Sequence, residues 1–130
     1  MTLNRAFAGG FGAVYALVGL VGFAVSGSVP FAGQEGASLL GFGVNGLHNI
    51  VHLLVGAALL AGFAGGHAAA RSVNLAVGGV YALLAVGGPF INDTAVDLFG
   101  LNGADHVLHL ATAVLLLGVA LAGDKAVARR

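Results

Sequence analysis

The chain has 130 residues, of which 58% are hydrophobic and 8% charged, and it contains 23 glycines and no cysteine. About a quarter of a typical soluble domain is charged, and a domain of this length cannot bury so much apolar surface, so most residues must face lipid. The formal net charge of zero gives no attraction for nucleic acid, and the absence of cysteine excludes disulfides, iron–sulfur clusters and thiolate metal sites. Composition therefore predicts an integral membrane protein.

Four apolar runs are long enough to cross a bilayer, given that a spanning helix needs roughly 20 residues. They cover about residues 7–25, 44–64, 73–91 and 103–122. Each run is apolar on all sides and rich in Leu, Ala and Val, whereas the strands of a membrane barrel alternate in polarity. We therefore predict an all-α fold, a four-helix bundle that forms a single membrane domain over residues 1–130.

The connections between these runs differ in length and charge. Two long connections span residues 26–43 and 92–101, and a short turn spans residues 65–72. In this topology the basic residues all lie on one side of the membrane, and they are Arg5, Arg71, Lys125, Arg129 and Arg130. Because cytoplasmic segments are enriched in Lys and Arg, we predict a multi-pass plasma-membrane protein with both termini and the short turn in the cytoplasm.

The two halves of the chain repeat each other. Residues 12–17 (GAVYAL) match residues 78–83 (GGVYAL), and residues 42–46 (FGVNG) match residues 99–103 (FGLNG). Each copy contains two spans, so both copies point the same way in the membrane. The sequence therefore predicts two tandem helical hairpins, related by a pseudo-twofold axis along the membrane normal.

The predicted repeats cover about residues 1–66 and 67–125. The start of the first repeat, with Arg5 followed by an apolar run, also fits the outline of a cleaved signal peptide. Because the equivalent run of the second repeat lies inside the chain, we interpret the first run as a retained helix.

Polar residues cluster where the second and fourth runs begin. The sequence reads NGLHNIVH from Asn45 and NGADHVLH from Asn102. Histidines three or four residues apart share one helix face, and polar side chains in a membrane usually face the bundle interior. The alignment of the halves pairs His52 with His109, His48 with Asp105, and Asn49 with His106. The pair His52 and His109 is thus the symmetric centre of the predicted site.

Two tyrosines are predicted to lie at the same depth in the membrane as His52 and His109. Each deeper histidine lies about eight residues inside its run, roughly 12 Å from the outer end at 1.5 Å per residue. Tyr15 and Tyr81 lie at a similar depth when counted from the opposite side. We therefore predict hydrogen bonds between these tyrosine hydroxyls and His52 and His109.

The cluster has two main interpretations. The leading one is helix packing, because Asn and His side chains often hydrogen-bond across membrane helices. The alternative is a cofactor, either a b-type haem that His52 and His109 bind for electron transfer, or a zinc or copper ion. The ion would take three or four histidines and a carboxylate from His48, His52, His106, His109 and Asp105. Asn45, Asn49, Asn102, Tyr15 and Tyr81 would surround either group.

A third interpretation is a proton or ion relay through Asp105 and the histidines, since ionisable groups inside membranes often mark such paths. Enzyme activity is not indicated, and we identify no catalytic residue. A zinc protease needs a glutamate directly after the first histidine of its motif, and Asn49 stands in that place.

Four spans, a duplicated hairpin and the segments from Asn45 to Leu53 and from Asn102 to Leu110 together resemble a family of small bacterial membrane proteins of unassigned function. Such proteins occur in actinobacteria and cyanobacteria. The resemblance covers almost the whole chain and implies a four-helix membrane fold, without an activity, substrate or cofactor. The expected partners are the lipid bilayer and either further copies of the chain or a larger membrane complex.

Overall fold

Each of the four apolar runs forms a helix, because a backbone surrounded by lipid must pair its own amide groups. The structure is a computed structural model that describes residues 1–123. Its long helices are α1 (Leu3–Val25), α2 (Gly46–Ala64), α3 (His67–Ile91) and α4 (Gly103–Gly118). A 3-10 turn (Ser26–Ser28) follows α1, a hairpin of β1 (Ala37–Leu39) and β2 (Phe42–Val44) precedes α2, and a π-helical turn (Val119–Gly123) extends α4. The predicted helical bundle is confirmed.

Two boundaries and one connection differ from the predictions. Helix α1 begins four residues early because the Thr2 hydroxyl accepts a hydrogen bond from the Arg5 amide at 3.4 Å. Helix α3 begins at His67, so the short turn is confined to the two residues before it. The β-hairpin was not predicted, since its turn places Leu40 at a φ of 53°, a conformation that leucine rarely adopts.

The outside of the bundle is apolar along the helices. Leu17, Leu83 and Phe90 are 61%, 75% and 81% exposed, respectively. All four helices are long and apolar enough to cross a membrane. So large an apolar surface requires lipid around it, which makes the chain a multi-pass membrane protein. Of the basic residues used to predict its orientation, Lys125, Arg129 and Arg130 lie outside the described residues.

Glycines allow the helices of each hairpin to approach closely. A Cβ atom on Gly12 would lie 3.0 Å from the Leu60 amide nitrogen in α2. A Cβ atom on Gly78 would lie 3.1 Å from the Leu117 amide nitrogen in α4. The alignment of the halves pairs these two contacts with each other. Close backbone approach of this kind is how membrane helices gain van der Waals contact.

The bundle has two distinct ends, which we call the loop end and the turn end. The loop end carries the two long connections, and the turn end carries the short turn before α3. At the turn end the Arg5 guanidinium donates to the Phe63 carbonyl at 3.0 Å, and the Arg71 guanidinium donates to the Ala120 carbonyl at 2.8 Å. Carbonyls at helix C-termini lack intrahelical partners, so these arginines satisfy them.

Between the two ends lies an apolar layer. Leu59 of α2 and Leu116 of α4 are fully buried, and both are two helical turns closer to the turn end than His52 and His109. Small side chains, Ala8, Ala70 and Ala113, complete the layer. The histidines therefore lie in the half of the bundle that is nearer the loop end.

Candidate functional site

The two long connections join to form a cover over the loop end. Gly33 of the first connection donates a hydrogen bond to the Leu98 carbonyl of the second at 3.0 Å, and it pairs with Phe99 in a parallel bridge. The Asn45 carboxamide donates to the Gly33 and Leu98 carbonyls at 3.1 and 3.0 Å. This arrangement holds the Phe99 ring edge-on to His48, with 6.2 Å between the ring centroids.

Below the cover, three of the predicted polar residues cap helix N-termini. The Asn45 side chain accepts from the His48 amide at 2.9 Å, and the Asn102 side chain accepts from the Asp105 amide at 3.1 Å. The Asp105 carboxylate in turn accepts from the Asn102 amide at 2.9 Å and from the Gly43 amide at 3.0 Å. Asp105 therefore completes a capping box and attaches strand β2 to α4.

Asn49 and His106 make equivalent contacts with the preceding helix. The Asn49 carboxamide donates to the Ser26 hydroxyl at 3.0 Å. The His106 Nε2 atom lies 3.1 Å from the Asn92 side-chain oxygen and donates to it, because that oxygen is an acceptor. The alignment of the halves pairs Asn49 with His106 and Ser26 with Asn92, so both bonds join the same two positions of each hairpin.

A glycine makes room for each of these side chains. A Cβ atom on Gly22 would overlap the Asn49 carboxamide. A Cβ atom on Gly88 would lie 2.6 Å from the ring of His106. His106 is thus directed toward α3 and does not join the other three histidines. Five polar side chains thus cap helices or bond the neighbouring segments. We call them the polar ring; they are Asn45, Asn49, Asn102, Asp105 and His106.

The remaining histidines converge on one point inside the bundle. His48, His52 and His109 each offer a nitrogen atom, and these atoms lie within 4.8 Å of one another. The side chains are only 3%, 2% and 1% exposed. The ring centroids of His48 and His52 are 4.3 Å apart, and those of His48 and His109 are 6.2 Å apart. We call these three residues the histidine trio.

Three of the six nitrogen atoms of the trio lack a protein partner within the described residues. The His48 Nδ1 atom donates to the Gly43 carbonyl at 2.9 Å, so the Nε2 atom carries the lone pair of the neutral ring, and the Phe99 backbone also contacts this ring. Both nitrogens of His52 and the Nδ1 atom of His109 are buried and make no hydrogen bond within the described residues. Nearly all buried polar atoms in proteins are paired, so several unpaired ones at one place call for an explanation.

The two tyrosines contact the trio through their rings. Tyr15 and Tyr81 stack at 5.2 Å, Tyr15 lies 5.2 Å from the His52 ring, and Tyr81 lies 4.9 Å from the His109 ring. The predicted tyrosine–histidine hydrogen bonds are wrong, because the imidazoles meet the tyrosine rings and the Tyr15 hydroxyl bonds the Thr112 hydroxyl at 2.7 Å.

The Tyr81 hydroxyl makes no hydrogen bond within the described residues. The alignment of the halves explains this difference between the tyrosines. The partner of Tyr15 is Thr112, and the equivalent residue of the first hairpin is Val55, which has no hydroxyl. The halves therefore share a ring geometry and differ in one polar group.

A cavity of about 170 Å³ adjoins the trio between α2 and α3. All three histidines line it, together with Tyr81. The rest of its wall is apolar and consists of Val51, Val80, Leu84, Phe99 and Leu101. The trio thus borders a space large enough for a small molecule.

Residues 5–122 match DUF4383, a domain of unknown function. The chain belongs to this family. The expected membership of an uncharacterised family is thereby confirmed, and the polar ring, the trio and the cavity all lie within the matched residues. No curated protein and no solved structure matches the chain. The DUF4383 domain brings no assigned activity, so the role of the site has to be argued from its geometry.

Sequence reasoning missed several residues that hold the site together. Ser26 and Asn92 bond the polar ring, Thr112 bonds Tyr15, and Gly43 contacts both His48 and Asp105. A signal for the first two was present, since the alignment of the halves places a polar residue at the same position of each hairpin. Thr112 and Gly43 carried no such signal, because their equivalents, Val55 and Gly100, do not repeat these side-chain hydrogen bonds.

Proposed function

We propose that this protein is a small membrane metalloprotein in which His48, His52 and His109 bind one transition-metal ion. The observation that carries the proposal is that the three histidines each bring one nitrogen within 4.8 Å of the others, while both nitrogens of His52 and the Nδ1 atom of His109 are buried without a partner in the described residues. Packing alone would be expected to pair them with protein groups. Imidazole is a common ligand for zinc and copper, and it binds through the lone pair that these nitrogens leave free.

On this proposal the residues of the predicted polar cluster form two groups with different roles. The polar ring serves helix packing and capping, which keeps the leading interpretation for Asn45, Asn49, Asn102, Asp105 and His106. The trio serves binding. Asp105 and His106, both predicted as ligands, belong to the first group because their side chains already bond Gly43 and Asn92.

The size of the trio is compatible with a single ion. A zinc or copper ion lies about 2.0–2.1 Å from each imidazole nitrogen, so tetrahedral ligands are roughly 3.4 Å apart. The trio nitrogens lie within 4.8 Å of one another, and small side-chain rotations would bring them to that spacing. The bond from His48 Nδ1 to the Gly43 carbonyl matches the support that metal-binding histidines usually receive from a second residue.

Charge favours copper in its +1 state over zinc. The trio consists of neutral imidazoles, and the two buried carboxylates near it, Asp97 and Asp105, are bonded to backbone amides and lie outside the ligand set. The electrostatic cost of placing an ion in a medium of low dielectric constant grows with the square of its charge. A doubly charged ion with three neutral ligands would therefore cost far more here than a singly charged one.

The haem alternative has less support. The cavity beside the trio measures about 170 Å³, whereas pockets for cofactors and drug-sized ligands usually measure about 300–1,000 Å³. The rings of Tyr15 and Tyr81 also occupy the space beside His52 and His109, with centroid distances of 5.2 and 4.9 Å. A single metal ion, unlike a haem, needs no cavity of that size.

The relay alternative also has less support. A proton path needs polar groups or water along its whole length. Between the trio and the turn end lies the layer of Leu59 and Leu116, with small alanines beside them. This layer interrupts any continuous polar path within the described residues.

We also infer the membrane setting and the origin of the fold. The positions of Arg5 and Arg71 at the turn end favour a plasma-membrane protein whose turn end faces the cytoplasm. The paired arginine contacts support two tandem repeats, about residues 1–66 and 67–125. A second copy of the chain or a larger membrane complex is the expected protein partner, because the apolar surface offers helix faces and no soluble domain.

Metal analysis of the purified protein tests the proposal. It compares the natural protein with two variants of α4, His109→Asn in the trio and His106→Asn in the polar ring. Protein is purified in mild detergent without chelator from cells supplied with copper or zinc, and metal content is measured by mass spectrometry. We expect about one ion per chain in the natural protein and in His106→Asn, and almost none in His109→Asn. Melting curves and gel filtration check that both variants remain folded.

The outcomes separate the three interpretations. Equal metal in both variants, or none in the natural protein under either supply, would contradict the ion site. A haem spectrum that disappears in His109→Asn would instead favour the haem alternative. Proton flux into proteoliposomes that depends on Asp105 would favour the relay.

A further inference from the structure

The cavity beside the trio has an opening on the side of the bundle. Its wall includes Val80 of α3, which is 54% exposed, and Leu84 one turn further along the helix. At its inner end are His48, His52 and His109, whose side chains are almost fully buried. The cavity thus connects the surface of the bundle with the trio.

This opening lies at the level of the hydrocarbon core. Val80 is about three helical turns, roughly 16 Å, from the end of α3 at Ile91. The hydrocarbon core of a bilayer is about 30 Å thick, so a residue this far from the helix end lies near its middle. Molecules that reach Val80 from outside therefore come from lipid and not from water.

Access from water at the loop end is covered. Phe99 lies against His48, and Leu101 is 5% exposed above the trio. The Asn45 carboxamide and the bridge between Gly33 and Phe99 fix the two connections to each other. A water-soluble molecule would have to displace this cover to reach the histidines.

We propose that small uncharged molecules dissolved in the bilayer reach the trio through this cavity, and that a molecule of this class, such as a dissolved gas, is the natural ligand of the site. The part of this proposal that concerns binding beside an ion rests on the proposed function. Three histidines leave one position of a tetrahedral ion open, and the cavity adjoins the trio where such a position would lie.

The cavity wall selects the class of ligand. Besides the histidines and Tyr81 it is formed by Val, Leu and Phe side chains. Apolar cavities of about 150 Å³ remain dry and bind xenon or benzene, and this one measures about 170 Å³. A charged molecule would lose its hydration in the lipid and along the apolar wall before it reached the trio, so the route favours uncharged molecules.

Xenon binding to the metal-free protein in lipid nanodiscs tests the access route by itself. Xenon NMR measures the bound fraction for the natural protein and for Val80→Phe and Val86→Phe. Val86 lies on the same helix and is 70% exposed, but it does not line the cavity. We expect Val80→Phe to lower xenon affinity roughly tenfold, because the new ring fills the cavity, and Val86→Phe to leave it unchanged.

Carbon monoxide binding to the copper(I)-loaded protein tests the second part. We expect an infrared carbonyl band in the natural protein and in Val86→Phe, and slower or absent binding in Val80→Phe. Leu84→Phe repeats the test one turn away if Val80→Phe does not fold.

The two proposals fail in different ways. If the natural protein takes up neither copper nor zinc, but its xenon binding depends on Val80, the proposed function is contradicted and the access route stands. A bound ion with neither xenon nor carbon monoxide binding would overturn the access route and leave the ion site standing. Equal binding of both gases by Val80→Phe and the natural protein would also overturn it.

Discussion

The polar ring and the histidine trio lie within two turns of each other on α2 and α4, but every ring side chain has at least one hydrogen bond to the protein, whereas His52 has none within the described residues. Ring residues such as Asn45 and Asp105 lie at helix N-termini, where backbone amides have no intrahelical partner and bond the side chains. His52 and His109 lie further inside their helices, where every backbone amide is already used. Both nitrogens of His52 and the Nδ1 atom of His109 therefore remain unpaired within the described residues.

The comparison teaches that position along a helix decides what a polar side chain is available for. His48 and Asp105 occupy equivalent positions of the two hairpins, and both bond Gly43. The His48 ring donates to the Gly43 carbonyl, and the Asp105 carboxylate accepts from the Gly43 amide. The imidazole keeps a second nitrogen for the trio, whereas the carboxylate oxygen that bonds Gly43 is also held by the Asn102 amide.

The largest expected effect comes from removing a trio residue. We predict that His52→Asn lowers copper(I) affinity by about 100-fold or more, equivalent to roughly 3 kcal/mol, because one of three ligands is lost. The free energy of unfolding without metal should change by less than about 1 kcal/mol, since neither nitrogen of His52 has a protein partner to lose. Competition with a copper chelator and denaturant titration measure the two quantities. If His52→Asn instead lowers the free energy of unfolding strongly and leaves the copper(I) affinity unchanged, His52 serves helix packing and not metal binding.

The opposite pattern is expected for the polar ring. Asp105→Ala should lower the free energy of unfolding by about 2 kcal/mol, because the Gly43 and Asn102 amides both lose their acceptor. Asp105→Asn is the matched control, since its amide oxygen still accepts, and it should lose less. Metal content per folded chain should stay near that of the natural protein in both variants. Loss of metal in Asp105→Asn while the chain remains folded would place this residue among the ligands.

A smaller effect is expected at Gly43, which bonds both Asp105 of the polar ring and His48 of the trio. A Cβ atom on Gly43 would overlap the Gly100 carbonyl oxygen, so Gly43→Ala must shift the cover. We predict a loss of about 1 kcal/mol in stability, together with weaker metal binding, because the support of His48 moves. Gly27→Ala is the control, since nothing lies within 4 Å of that position. Calorimetry and metal titration of both variants check the prediction, which fails if they behave alike.

The smallest effect concerns the difference between the two tyrosines. Val55→Thr gives Tyr81 the hydroxyl that Thr112 supplies to Tyr15, and we predict a gain of about 0.6 kcal/mol. Thr112→Val should lower stability by a similar amount. The double variant, with the hydroxyl moved from one hairpin to the other, should be close to the natural protein. Unfolding titrations of the three variants measure these values, and a loss of stability in Val55→Thr would show that the halves differ in more than this group.

The sequence determined the membrane class and the four helices, because hydropathy is a property of the chain itself. Helix starts at Asn45 and Asn102 were also readable, since capping depends only on neighbouring residues. Tertiary structure decided the rest. It brought His48 to the trio and turned His106 toward Asn92, a choice that two neighbouring histidine pairs do not reveal.

It also paired Tyr15 with Thr112, joined the two long connections into a cover and left a cavity beside Val80. Each of these depends on the distance and rotation between helices that are far apart in the chain. Helical periodicity fixes which residues share a face, but the partner of that face is set by how closely the glycines let the helices approach.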